Sequence, residues 1–374
     1  MSFLSCKLKD AVELAYGKAL PERIRKDGEI PVYGSGGIGG YHNESIVTGP
    51  GVIVGRKGTI GSVFYEKSDF YPIDTVYYVK TNPQKIGIRF AYYLLKNLNL
   101  SSLNSDAAVP GLNRDRAYDL TIKLPDVKTQ SNILQILEKY DDLIENNRRR
   151  IQLLEDAARL LYREWFIYLR FPGHEHVKIV DGVPEGWHKQ RLDDVAVINA
   201  ESLKSNFQGR IEYIDISCVS TDSIDSTNWY EFEDAPGRAR RILRDKDIIW
   251  SCVRPNRKSH AFIWQPHDRL IASTGFAVIS AKTISPFFLY QTLSTSEYVG
   301  YLTNNAGGVA YPAVTAKVFE DSIILVPPNS ITDTFDSFVS KSYQQINLLQ
   351  QANKKLIEAR DLLLPRLMSG EISV

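Results

Sequence analysis

A chain of 374 residues, 43% of them hydrophobic and 11% aromatic, is too long for one ordinary core and apolar enough to bury more than one. A net charge of +1 neither demands nor excludes nucleic acid; residues 1–128 carry 17 basic against 13 acidic residues and residues 171–330 carry 16 against 19, so a polyanion must be held by local clusters and not by a global field. Cys6, Cys218 and Cys252 are too far apart for a disulfide framework or a zinc site, no apolar run approaches the roughly eighteen residues of a membrane span, and Met1 to Asp10 lacks a signal-peptide core, so the expected location is cytoplasmic.

Residues 1–128 read as a mixed α/β globule. Glu29 to Tyr33, Val52 to Val54, Ser62 to Tyr65 and Thr75 to Val79 have strand composition, Ile86 to Leu98 has a helical period, and Leu120 to Leu124 alternates until Pro125 stops it. Asp126 or Thr129 then caps a long helix over 129–170. Its apolar seam, Ile133, Leu137, Tyr140, Ile144, Asn147, Ile151, Leu154, Ala158, Leu161 and Trp165, steps alternately by four and three, which is a heptad. At 1.5 Å per residue such a helix runs roughly 60 Å, so it must protrude or join two bodies. Phe171-Pro172-Gly173 ends it.

Residues 171–330 restart as a second globule, with Leu192 to Ile198, strands at Ile211 to Ile216, Ile248 to Cys252, Ala261 to Trp264 and Phe276 to Ile279, and a helix at Phe287 to Leu293. Pro327-Pro328 closes it, and Asn329 or Ser330 caps a second heptad helix over 331–374. The second seam is Phe335, Val339, Ser342, Ile346, Leu349, Asn353, Leu356, Arg360 and Leu363. Pro110 and Pro312, Pro125 and Pro327, Ile144 and Ile346, Leu154 and Leu356, and Leu161 and Leu363 all stand 202 positions apart, which reads as an internal repeat. The expected fold is α+β: two mixed α/β globules joined by two long helices packed as an antiparallel coiled coil, related by a pseudo-two-fold repeat. Asn147, Asn353 and Arg360 would fix the register of that pair at some cost in stability. A rod of this kind also serves plain adaptors, but a ruler between two similar modules suits half-sites on duplex DNA.

The motifs narrow the chemistry. Gly34 to Gly39 matches G-x-G-x-x-G, yet Tyr41-His42-Asn43-Glu44 leads to another turn instead of a helix and position 59 is Thr, so a dinucleotide site is disfavoured; a turn whose backbone approaches another surface, at Gly36 and Gly37, fits better. The stretch GVIVGRKGT (51–59) lacks the Gly-Lys-Ser/Thr of a phosphate loop and leaves a basic pair, Arg56 and Lys57, at a strand end. Arg254-Pro255-Asn256-Arg257-Lys258 occupies a comparable place after Ile248 to Cys252, while Asn113, Arg114 and Arg116 precede Leu120 to Leu124 and Tyr311 and Thr315 lie in the equivalent loop. A basic cluster after a short apolar strand in each half points to phosphate and guanine contacts. Arg238, Arg240, Arg241 and Arg244, among Glu231, Glu233, Asp234 and Asp245, read as a self-paired surface, and Arg148 to Arg150 as an exposed helix face. His174 and His176 have no further metal ligands near them, and no nucleophile with its base stands out, so a non-catalytic chain without metal is expected.

In this order, IPVYGSGGIGGYHN (30–43), GVIVGRKGTIGSVFY (51–65), AVPGLNRDRAYDLTIKLP (108–125), EGWHKQRLDDVA (185–196), DIIWSCVRPNRK (247–258) and LLLPRLMSGEI (362–372), set around two heptad helices, resemble the specificity (S) subunits of type I restriction-modification systems over essentially the full length. The resemblance implies two target recognition domains, 1–128 and 171–330, each reading one half of a split, asymmetric double-stranded DNA site, with helices 129–170 and 331–374 as the spacer. It further implies that two modification (M) subunits, which bind S-adenosylmethionine and methylate adenine, dock on the helices. Restriction (R) subunits, with ATP and Mg, would join through them, and this chain would hold no cofactor. The helix-pairing residues are then Leu137, Ile144, Ile151, Leu154, Leu161, Val339, Ile346, Leu349, Leu356 and Leu363. Lys57, Lys258 and the amides around Gly36 and Gly37 are expected on phosphates, and Arg56, Asn113, Arg114, Arg254, Asn256 and Arg257 on base edges, with Arg116 and Tyr311 beside them.

Overall fold

The computed structural model describes residues 3–103, 111–308 and 311–374. By contacts the chain divides into one unit of Met1–Asn147 with Ala352–Val374 and a second of Arg148–Gln351, so the division crosses both long helices.

In the first unit, Val12–Tyr16, Val76–Thr81, Gly51–Gly55 and Val63–Glu66 pair in that order as an antiparallel sheet. A second sheet holds Gly37–His42, Ile30–Gly34 and Tyr71–Pro72, the last two parallel. Phe3–Lys7 pairs with Thr121–Pro125. The helix Ile88–Asn97 sets Phe90, Ala91 and Leu94 against Val52, Val54 and Tyr77. Ile133 and Leu137 of the first long helix and Leu364, Leu367 and Met368 of the second enter the same core. Each such side chain contributes about 1.5–3 kcal/mol by leaving water, so the helix ends are held by the domain as well as by one another.

In the second unit, Ala196–Ile198, Phe276–Ala281, Ile248–Ser251 and His260–Phe262 form a sheet in that order. The other sheet runs Asn228–Glu231, Arg210–Ile214, Leu270–Ser273, Ala239–Ile242, again with one parallel pair at its centre. His188–Arg191 pairs with Ile323–Val326. Residue 121, where the strand Thr121–Pro125 begins, and residue 323, where Ile323–Val326 begins, stand 202 apart, as do the starts of the helices Arg114–Tyr118 and Ala316–Glu320. Pro110, one mark of the expected repeat, lies outside the described residues.

The long helices differ from expectation at their ends. The first is Val127–Tyr162, and Asp126 is its cap: its carboxylate accepts the Thr129 N–H at 2.9 Å and the Thr129 hydroxyl at 3.0 Å. It does not continue as α-helix to Arg170. Arg163–Ile167 is a π-turn, which widens the helix and puts the consecutive Trp165 and Phe166 both into the core, against Phe171, Trp187 and Phe335. Leu169, with φ +57°, then turns the chain away. The second helix is Asn329–Ser369, so neither Asn329 nor Ser330 is its cap; the carbonyl of Pro328 accepts the Ile331 N–H at 3.0 Å instead. It tolerates Pro365 inside and stops at Gly370, φ +78°.

Of the expected helix-pairing residues Leu137, Ile144, Val339 and Ile346 are buried and the other six are half-buried. In the first unit Leu137 and Leu363 share a core, Ile144 is buried, and Asn147 donates to Asn353. In the second unit Ile151, Leu154 and Leu161 pack into the cluster that holds Val339 and Ile346. Leu349, and in the first unit Leu356, are half-buried and join neither cluster. Among the described residues no helix is long and apolar enough to cross a membrane.

Candidate nucleic-acid interface

In the first unit the Gly34–Gly37 turn closes a hairpin, not a helix start. Gly37 takes φ +104°, and the space above Gly36 is open. The loop after Gly51–Gly55 lies beside this turn: the Ser62 hydroxyl donates to the Ser35 carbonyl at 2.6 Å, and the Thr59 N–H reaches the Ser35 hydroxyl at 3.4 Å. Gly55 has no room for a side chain, since a Cβ would stand 2.1 Å from the Thr59 carbonyl oxygen.

The backbone then aims the basic residues. The amides of Arg56 and Lys57 donate to the Thr75 carbonyl at 2.9 and 3.1 Å, and the Arg56 carbonyl accepts the Leu112 N–H at 2.8 Å. The basic pair is thereby tied to the segment carrying Asn113, Arg114 and Arg116. Both the Arg56 and the Arg114 guanidinium carbon lie 5.0 Å from the centroid of the Tyr16 ring; Arg56 also meets Tyr77 at 5.9 Å and Arg114 meets Tyr118 at 5.8 Å. Arg56 Nη1 donates to the Asp74 carbonyl at 2.8 Å, Arg114 Nε is buried without a hydrogen-bond partner, and neither side chain has an ion-pair partner among the described residues. Two cations held on an aromatic ring and left unneutralised form a receptor for an acceptor-rich, anionic surface. The Asn113 oxygen is already engaged as the cap of Arg114–Tyr118, accepting from the amides of Asp115 at 2.9 Å and Arg116 at 3.1 Å, so only its Nδ2 remains for a ligand. Lys57 and Arg116 are exposed.

In the second unit the equivalent tie joins the Cys252 carbonyl to the Val314 N–H at 2.9 Å, and Val253 bridges Ala313 as Lys57 bridges Gly111. The position matching Arg56 is therefore Cys252, and the basic run begins two residues later than a strict correspondence requires. Left-handed backbone at Arg254 (φ +50°) and Lys258 (φ +54°) brackets a single 3-10 turn, Pro255–Arg257, that leaves Asn256, Arg257 and Lys258 exposed. The Arg254 amide donates to the Pro312 carbonyl at 2.7 Å, and its guanidinium lies 4.7 Å from the ring centroid of Tyr311, itself 70% exposed. Arg244 pairs with Glu201, Arg240 stacks on Phe232 and Arg241 Nε is buried without a hydrogen-bond partner, so among the described residues this run forms no ion pair with Glu231, Glu233, Asp234 or Asp245.

Behind this loop lies a polar cluster that the sequence did not mark. The Thr221 hydroxyl donates to the Lys258 carbonyl at 3.1 Å and the Asp222 amide to the His260 carbonyl at 2.9 Å. The Asp222 carboxylate accepts from the Tyr290 hydroxyl at 2.5 Å and from Arg159 of the first long helix at 2.9 Å. A cavity of about 40 Å³, with Glu155, Arg159, Asp222, Tyr290, Gln291 and Tyr343 in its wall, adjoins them. Burial pushes His260 down to about 4, and burial followed by the Asp222 charge pushes Glu155 up to about 7. Tyr16 was equally silent in sequence, since a tyrosine at a strand end ordinarily reads as a cross-strand packing residue.

Residues 4–156 match the family described as the type I restriction modification DNA specificity domain. The type I restriction enzyme MjaIX specificity subunit of Methanocaldococcus jannaschii is 25% identical, over 98% of this chain and 93% of that protein. The HindI specificity subunit of Haemophilus influenzae is 24% identical over 70% of this chain and 71% of its own length. The crystal structure of a type I restriction-modification system S subunit from M. genitalium superposes with a TM-score of 0.56 at 17% identity, over 98% of this chain and 96% of that one, which shows a shared fold. Residues 4–156 thus carry a type I restriction-modification DNA specificity domain, and along almost its whole length the chain resembles the specificity subunits of those systems.

Proposed function

We propose that this chain is the DNA-recognition subunit of a type I restriction-modification assembly and has no catalytic chemistry of its own. Each unit reads one half of a split, asymmetric site. The observation that carries this reading is the basic loop in each unit, tied by its backbone to the segment before the strand Thr121–Pro125 or Ile323–Val326 and presenting an arginine on an aromatic ring. Lys57, Lys258 and the amides at Gly36 and Gly37 take phosphates. Arg56, Arg114, Arg254, Asn256 and Arg257 meet base edges, with Arg116, Tyr311 and the free Asn113 Nδ2 beside them.

The two long helices pair as an antiparallel coiled coil and set the spacer between half-sites. Support comes from the seam residues that enter the two cores and the Asn147–Asn353 hydrogen bond, and for the internal repeat from the four-stranded sheet of the same strand order in each unit and the 202-residue offset. Two M subunits dock on the helices and bring S-adenosylmethionine; R subunits, using ATP and Mg, join through them, in the cytoplasm. In the second unit Leu153 and Leu160, seven residues apart on the α-helix and both exposed, offer an apolar strip for such docking.

The test is substitution within the complex. Arg56→Ala relaxes base choice in one half-site and Arg254→Ala in the other, each lost bidentate contact costing about 1–3 kcal/mol, whereas Lys57→Ala weakens all sequences alike. The reading fails if both arginine variants leave the modified sequence and the affinity unchanged.

A further inference from the structure

Tyr16 is the last residue of its strand and stands directly across from Tyr77 in the antiparallel register. The two rings are 5.1 Å apart and tilted by 59°. Tyr77 is buried, and its hydroxyl donates to the Leu112 carbonyl at 3.2 Å, so the ring behind Tyr16 is anchored to the same segment that carries Arg114. Immediately after Tyr16 the chain is pinned as well. The Gly17 amide donates to the Val76 carbonyl at 3.2 Å, and a Cβ on Gly17 would stand 2.1 Å from the Ile73 carbonyl oxygen. The Tyr16 ring is thus fixed from behind and from its backbone, yet the residue remains 50% exposed.

Arg56 and Arg114 come from segments almost sixty residues apart in sequence and share this one ring at 5.0 Å each. A carboxylate could hold an arginine as firmly, but it would neutralise the charge and occupy the donor fork. A ring face orients the guanidinium plane and leaves charge and N–H groups for a ligand. Among the described residues Arg56 makes one side-chain hydrogen bond, from Nη1 to the Asp74 carbonyl, and Arg114 Nε is buried without one, so it is the terminal Nη groups that remain for a ligand. The acceptor pair that matches an oriented guanidinium fork on duplex DNA is guanine O6 and N7 in the major groove.

We propose that Tyr16 is a positioning residue for base recognition by the first unit, holding Arg56 and Arg114 together as a reader of guanine. This rests on the DNA-recognition reading above. It makes one aromatic side chain responsible for two base contacts, and it gives a ring without a hydroxyl the same competence as tyrosine.

The experiment maps methylated adenines, and measures DNA affinity against salt, for the full chain assembled with its methyltransferase partner, using Arg56→Ala, Arg114→Ala, Tyr16→Leu and Tyr16→Phe. The arginine variants are expected to relax a guanine in one half-site by about five- to hundred-fold. Tyr16→Leu is expected to relax the same positions with the salt slope retained, because both cations remain, while Tyr16→Phe keeps discrimination. Unchanged choice in the other half-site serves as the internal check that Tyr16→Leu has folded. If the arginine variants relax guanine and Tyr16→Leu does not, or if Tyr16→Phe fails together with Tyr16→Leu, the role of Tyr16 is wrong. If the arginine variants weaken every sequence equally, they hold phosphates and the guanine assignment is wrong, with DNA recognition intact. If they change neither affinity nor sequence, the DNA reading of this surface falls first.

Discussion

The side-chain amide of Asn147 donates to the Asn353 oxygen at 2.9 Å, joining the first long helix to the second at a buried position of the seam. Asn353 Nδ2 lies 3.4 Å from the Ile144 carbonyl. A buried amide pair of this kind satisfies itself in one register only. Asn147→Leu alone leaves a buried amide unsatisfied and is expected to destabilise by about 1–3 kcal/mol, while Asn147→Leu with Asn353→Leu is expected to return close to the parent. Denaturant unfolding of the three proteins checks this; a double variant as unstable as the single one contradicts it.

A second link between the helices is ionic. Arg360 Nη1 lies 2.6 Å from Asp141, which also accepts from the Tyr93 hydroxyl at 2.5 Å and from Arg89 at 3.0 Å. Burial alone would raise the Asp141 carboxyl, but the Tyr93 hydroxyl, Arg360 and Arg89 outweigh it and hold the group below its ordinary 3.8. The stability it confers is complete above that value and is lost as pH falls through the lower, folded-state value. Asp141→Asn is expected to cost about 3–5 kcal/mol near neutrality, whereas Asp141→Leu combined with Arg360→Met and Tyr93→Phe costs less, because Arg89 keeps Glu138 and no buried hydroxyl is left without its acceptor. Equal losses in the two proteins would show that the ion pair is not what holds this site.

Glu155 carries the opposite sign. With its carboxyl pushed up from 4.5 to about 7, the folded chain keeps a proton that the unfolded chain releases between those values. Stability therefore falls as pH rises through that window and stays reduced above it. Glu155→Gln removes this dependence. Its melting temperature should match the parent near pH 4.5 and exceed it most above pH 7, by a margin on the order of 1–3 kcal/mol in stability. His260, lowered to about 4, loses stability for both proteins as pH falls from 6.5, so its effect cancels in the difference. A margin independent of pH would contradict the assignment.

Leu153 and Leu160, 60% and 58% exposed, lie on one side of the first long helix away from its seam. Leu153→Glu with Leu160→Glu is expected to leave the melting temperature of the isolated chain within a few degrees and to abolish co-purification with the methyltransferase partner. Retained co-purification would move docking elsewhere.

The long helices were legible because heptad spacing survives any tertiary context and the proline stops stand outside it. The loops at Arg56 and Arg254 were legible as charge after an apolar strand. The π-turn at Arg163–Ile167 was not, because it is selected by the need to bury Trp165 and Phe166 together against Phe335, a residue far along the chain. The shared ring of Tyr16 and the Asp222 cluster were hidden for a related reason: each is assembled from segments that only folding brings together, and each uses residue types that a sheet or helix would accept for packing alone. The displacement of Arg254 from the position of Arg56 is set by the left-handed backbone at Arg254 and Lys258, which no residue type there announces.

Two separate surfaces of this chain are proposed to read two halves of one DNA site. The most direct test is to map methylated adenines in DNA exposed to the complex of this chain with its methyltransferase. Methylation is expected only within a single split motif, two unlike half-sites at one constant spacing. Methylation at scattered adenines without a split motif, or within a single continuous motif, would contradict it.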